Sequence, residues 1–126
     1  MAHANPNPVT THVLDTSTGQ PAAGLGLRLS RKVGEHEDGS FRWETIATQT
    51  TNADGRLDAP LLNAEQAPEK DSVYELHFDT AAYFAQQGRK CFYPYVKIVF
   101  EIADPASHYH VPLLISPFGQ MTYRGS

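Results

Sequence analysis

Short runs in which every second residue is apolar recur along this 126-residue chain. A period of two fits a strand with one face in a core and the other in water. Leu25, Leu27 and Leu29 alternate with Gly26, Arg28 and Ser30, and Tyr74, Leu76 and Phe78 alternate with Glu75, His77 and Asp79, the latter set predicted to face outward. Val96, Ile98, Phe100 and Ile102 repeat the pattern before Asp104-Pro105 breaks it. Phe41 to Thr48 is a less clean run, rich in aromatic and β-branched residues. Turn chemistry lies between the runs: Gly34 to Ser40, then Asn52-Ala53-Asp54-Gly55, where Gly55 suits a positive φ and delivers Arg56 to the next segment. His108 to Ile115 and Phe118 to Arg124 are predicted to form a closing pair joined by Ser116-Pro117. One short helix fits, Ala81 to Gln87, capped by Asp79 or Thr80 and ended by Gly88. Many short strands with frequent turns predict an all-β fold, a two-sheet antiparallel β-sandwich.

The length suits a single domain with its own core. We expect a flexible N-terminal arm over residues 1–9, with its two Asn-Pro pairs, and a sandwich domain over 10–126. Ten Lys and Arg against fourteen Asp and Glu leave a net charge of −4, with the basic residues scattered. A polyanion finds no footprint there, so nucleic acid is not an expected partner. Apolar stretches such as Val111 to Ile115 are far shorter than the roughly 20 residues a membrane helix needs, so no membrane partner is expected either. The single cysteine, Cys91, beside Phe92, suits packing and a reducing, intracellular home, cytoplasmic or peroxisomal.

Several polar residues fit a bland sandwich poorly. In an extended His108-Tyr109-His110-Val111-Pro112-Leu113-Leu114-Ile115, the odd-numbered residues form the core row and His108 and His110 point the other way. Two solvated histidines or a zinc-binding pair are both compatible with that pattern, although no cysteine or third ligand stands nearby in sequence. Pro112 lacks an N–H and suits an edge or bulge. His12, Arg56 and Arg124, taken singly, are ordinary strand or surface residues, and Ser126 is the last residue. The Gly-x-Ser-x-Gly, His-Glu-x-x-His and phosphate-loop motifs do not occur.

Three segments together resemble one family. His12-Val13-Leu14-Asp15 with Gly19-x-Pro21-Ala22, the Asp54-Gly55-Arg56 turn, and His108-Tyr109-His110-Val111-Pro112-Leu113-Leu114 with the terminal Tyr123-Arg124-Gly125-Ser126 look like the 5-hydroxyisourate hydrolases, transthyretin-related enzymes of urate degradation. The resemblance runs from about Val9 to Ser126. It implies a transthyretin-like sandwich of seven or eight strands with one short helix, assembled as a homotetramer, a dimer of dimers with sites in a central channel. By the same resemblance His12, Arg56, His110 and Ser126 are catalytic, and His108, Tyr123, Arg124 and Gly125 bind substrate. His108 and His110 would then face outward because another subunit covers them. The implied substrate is 5-hydroxyisourate, hydrolysed to 2-oxo-4-hydroxy-4-carboxy-5-ureidoimidazoline without metal or organic cofactor. His12 or His110 is the expected base, and Ser126 would position water or a histidine through its hydroxyl or a terminal carboxylate. Transthyretin, the thyroid-hormone carrier of the same fold, is expected to hold lysine, glutamate and threonine where this chain has His12, Arg56 and His110. A carrier is therefore the alternative function, while an adhesion sandwich would call for secretion and disulfides.

Overall fold

The computed structural model describes residues 7–126. Eight strands form two four-stranded sheets: β1 (Val9–Asp15), β2 (Gln20–Pro21), β3 (Gly26–Glu35), β4 (Phe41–Thr50), β5 (Ser72–Phe78), β6 (Val96–Ile102), β7 (Tyr109–Ser116) and β8 (Gly119–Thr122). One sheet has the order β2-β1-β7-β8 and the other β4-β3-β5-β6. The expected all-β sandwich with one short helix, α1 (Thr80–Ala85), is the architecture observed. Among the described residues, no helix is long and apolar enough to cross a membrane.

The predicted inward rows meet in one core. Leu27, Leu29, Tyr74, Leu76, Phe78 and Ile102 face Val13, Tyr109, Val111, Leu113 and Ile115 across the sandwich. Full burial of each such side chain contributes about 1.5–3 kcal/mol. Cys91 is half-buried and packs against this core, as its aromatic neighbourhood suggested.

One pairing departs from the antiparallel scheme. Strands β1 and β7 run parallel, with Val9 opposite Tyr109 and Asp15 opposite Ile115. They come from opposite ends of the chain, so no hairpin constrains their direction. The pairing also ties down part of the expected arm. Residues 1–6 lie outside the described residues, but Tyr109 N–H donates to the Pro8 carbonyl at 2.8 Å and Val9 already belongs to β1.

Several local expectations are corrected. Glu75 and His77, predicted to face water, are buried. Their strand is internal to its sheet, and the Tyr95 ring lies on His77 with centroids 4.8 Å apart. Asp79 occupies the N-cap position of α1 but makes no side-chain cap bond; its carboxylate lies 3.5 Å from His77 Nδ1 instead. The helix ends at Ala85, two residues short of the expected Gln87, and the turn that follows closes at Gly88, whose φ of 68° accompanies bonds from Gly88 N–H to the Ala85 carbonyl and from Arg89 N–H to the Phe84 carbonyl.

The last concerns Pro112, which sits in an internal strand rather than at an edge or bulge. The β7–β8 ladder ends at Leu113 opposite Thr122, and in that register Pro112 faces Tyr123. The missing N–H therefore falls where the ladder has opened. The Thr122 hydroxyl donates to the Pro112 carbonyl at 2.7 Å, and pairing resumes at His110 with Gly125, whose N–H donates to the His110 carbonyl at 2.8 Å.

Candidate active site

The parallel register of β1 and β7 assembles the site. Thr10 lies opposite His110 and His12 opposite Pro112. Alternation places Val9, Thr11 and Val13 in the buried row of β1, so Thr10 and His12 share the other face with His108 and His110. The two histidines of the His-x-His pair are joined through Thr10: its Oγ1 lies 2.9 Å from His108 Nε2 and 2.8 Å from His110 Nδ1. His108 Nδ1 is bonded to the Asn7 carbonyl at 2.9 Å. The imidazoles are nearly parallel, 13° apart, with centroids separated by 6.4 Å. Thr10 gave no signal as a site residue, since a threonine in a strand is ordinary; only its register partner marks it.

Arg56 arrives from the loop after β4 by a docked turn. Gly55 has φ 71°, and a Cβ there would stand within 3 Å of the Val13 carbonyl oxygen. The Gly55 carbonyl in turn accepts from Val13 N–H at 2.9 Å. Asn52 braces the same turn: its Oδ1 accepts from the N–H groups of Asp54 and Arg56, and its own N–H donates to the Arg56 carbonyl. The turn thus holds Arg56 against β1, and among the described residues its guanidinium is in no ion pair. Arg56 and Thr10 line a cleft of about 230 Å³ with Asn7, Thr11 and Leu57.

The half-buried His110 has its pKa held below the ordinary 6.5, first by burial, then by the Arg56 guanidinium and, less, by the neighbouring imidazoles of His108 and His12. A neutral ring at neutral pH follows, which is the form that can accept a proton. His110 also lines a second cleft, of about 290 Å³, with Tyr123 and Arg124 from the chain end and Ile98 and Phe100 from β6. The Thr10–His110 hydrogen bond stands between the two clefts.

The structure therefore brings together His12, Arg56, His108, His110 and Gly125. Arg124 shares the second cleft with His110, but its guanidinium lies over the ring of Tyr109, 4.4 Å from the centroid. Tyr109 belongs to the core row, so Arg124 reaches toward the sandwich mouth rather than along the histidine face. Tyr123 and Ser126 are exposed, and Ser126 makes no hydrogen bond among the described residues. No group of three or more His, Cys, Asp or Glu side chains converges as a metal ligand set among them either.

The model of the HIUase/Transthyretin family matches residues 9–125. A mouse 5-hydroxyisourate hydrolase is 46% identical over 120 residues, covering 95% of this chain and 96% of its own. The solved 5-hydroxyisourate hydrolase of Klebsiella pneumoniae superposes with a TM-score of 0.77 at 40% identity, covering 95% of this chain and 99% of that one. Transthyretin from Sparus aurata superposes with a TM-score of 0.79 at 34% identity, covering 94% and 96%.

Proposed function

This chain belongs to the HIUase/Transthyretin family, and we propose the hydrolase rather than the carrier function for it. It hydrolyses 5-hydroxyisourate in urate degradation, opening a cyclic amide to give 2-oxo-4-hydroxy-4-carboxy-5-ureidoimidazoline. The observation that carries this choice is the half-buried His110, its pKa lowered by burial and by the Arg56 guanidinium, which is in no ion pair among the described residues. An apolar ligand gains nothing from such a wall, whereas attack of water on a carbonyl needs both a base and an oxyanion partner.

His12, Arg56, His110 and Ser126 form the catalytic set, and His108, Tyr123, Arg124 and Gly125 complete the pocket. A histidine takes a proton from water as its oxygen bonds to the ring carbonyl carbon. The planar donors of Arg56 receive the charge developing on the carbonyl oxygen. When the oxyanion collapses, the amide C–N bond breaks and the imidazolium returns its proton to the leaving nitrogen. General base catalysis of this kind contributes roughly 10²–10⁴-fold.

The assembly belongs to the same proposal. Strands β6 and β8 are sheet edges that flank the second cleft, and Val99, Phe118, Met121 and Tyr123 lie exposed on or beside them. Open edges of this kind favour pairing with a second copy. A homotetramer, a dimer of dimers, would cover the histidine face and close the pocket, within the cell where Cys91 stays reduced. The test is to generate 5-hydroxyisourate in place from urate and urate oxidase and follow its ultraviolet decay with and without the protein. Accelerated decay supports a hydrolase; unchanged decay alongside tight binding of an apolar ligand supports a carrier.

A further inference from the structure

The hydrogen bonds around Thr10 determine proton positions, because one end of the chain of bonds has a group with a fixed role. The Asn7 carbonyl can only accept, so His108 Nδ1, 2.9 Å away, carries a proton and donates. In neutral His108 the other nitrogen, Nε2, is then an acceptor. Thr10 Oγ1, 2.9 Å from it, must donate its single proton there. With that proton spent, Thr10 Oγ1 can only accept from His110 Nδ1, 2.8 Å away. His110 is thereby protonated on Nδ1 and bare on Nε2.

We propose that Thr10 is a positioning residue for the hydrolysis, whose hydroxyl, held by His108, fixes His110 in the Nδ1–H tautomer so that Nε2 is the nitrogen that takes the proton from water. This rests on the hydrolase function proposed above and deepens it: His110 is the base, and His108, besides its place in the pocket, acts on it through Thr10. When Nε2 takes up its proton, Nδ1–H still donates to Thr10, so the bond survives the step and strengthens as the ring becomes charged. A proton on His108 would undo the arrangement. His108 Nε2 would donate to Thr10, whose own proton could then turn toward His110 Nδ1 and leave the lone pair on the wrong nitrogen. The groups that bear on this balance are His12 and Thr10 on β1, His108 just before β7 and Arg56 from the loop.

The test compares the parent protein with Thr10→Val, which keeps the shape and loses the hydroxyl, and Thr10→Ser, which restores it. Nitrogen-15 NMR of the imidazoles reads the tautomer without any substrate. The parent protein and Thr10→Ser should show His110 as Nδ1–H, and Thr10→Val should lose that preference. In the 5-hydroxyisourate assay kcat should fall about tenfold to a hundredfold in Thr10→Val, with KM kept and kcat recovered in Thr10→Ser. An Nε2–H tautomer of His110 in the parent protein overturns the proposal, even if the enzyme is active. So does full turnover in Thr10→Val. If the parent protein itself fails to turn over 5-hydroxyisourate, the hydrolase function falls, and the tautomer spectrum still decides the relay.

Discussion

Gly125 lies flat against the imidazole of His110: a Cβ on it would stand 2.6 Å from His110 Cδ2 and 3.2 Å from Pro112 Cγ. The same residue's N–H donates to the His110 carbonyl at 2.8 Å. The chain end therefore holds both the backbone and the ring of one histidine, and only glycine leaves room for that ring.

Gly125→Ala should accordingly displace the imidazole and lower kcat. A shift of the order of an ångström at a reacting group costs about 10² in rate. The thermal midpoint should barely move, since Gly125 lies outside the core; turnover and thermal melts on the same sample check both.

Gly55→Ala should behave differently. Its added methyl meets the Val13 carbonyl, which is backbone and cannot swing aside, and the φ of 71° disfavours alanine as well. Stability should drop by on the order of 2 kcal/mol, and activity should fall with it because the turn that carries Arg56 no longer docks on β1. Denaturant unfolding and turnover would show the two losses together.

Arg56→Lys keeps the charge and removes the planar fork, so kcat/KM should fall strongly while the fold and oligomer size stay unchanged. Parent-like turnover in the lysine variant would reduce Arg56 to a diffuse positive charge.

The pH dependence has a definite sign. The unfolded chain protonates His110 near 6.5 and the folded protein only at lower pH, so unfolding takes up a proton in between. Stability is then unaffected above about 6.5 and declines as pH falls below it, toward the depressed folded value. His77, depressed first by burial and then by Arg28 with Lys97, adds to the same slope. The acid limb of kcat/KM should lie below 6.5 too. Thermal midpoints across pH 5 to 8 for the parent protein and His110→Gln should show a shallower acid decline in the variant.

Much of this molecule was legible in its residues. Period-two rows identified the core faces of β3, β5, β6 and β7, because a strand buried on one side must alternate. The outward aim of His108 and His110 followed from the same rule. Thr10 was invisible because its importance comes from a parallel partner a hundred positions away, a pairing that no local pattern encodes. Burial of His77 was hidden for a related reason: what covers its ring is Tyr95, a residue outside that strand. Asn52 looked like one more turn residue, yet its side chain braces the backbone of Arg56.

The most direct test of the central claim is the decay of 5-hydroxyisourate, generated in place, in the presence of equal amounts of parent protein, His110→Ala and His108→Ala, each first shown to be folded. The parent protein should accelerate decay, His110→Ala should lose about 10²-fold or more of that acceleration, and His108→Ala should fall between them because Thr10 then loses the acceptor that orients it. Equal turnover by the parent protein and His110→Ala would contradict the account.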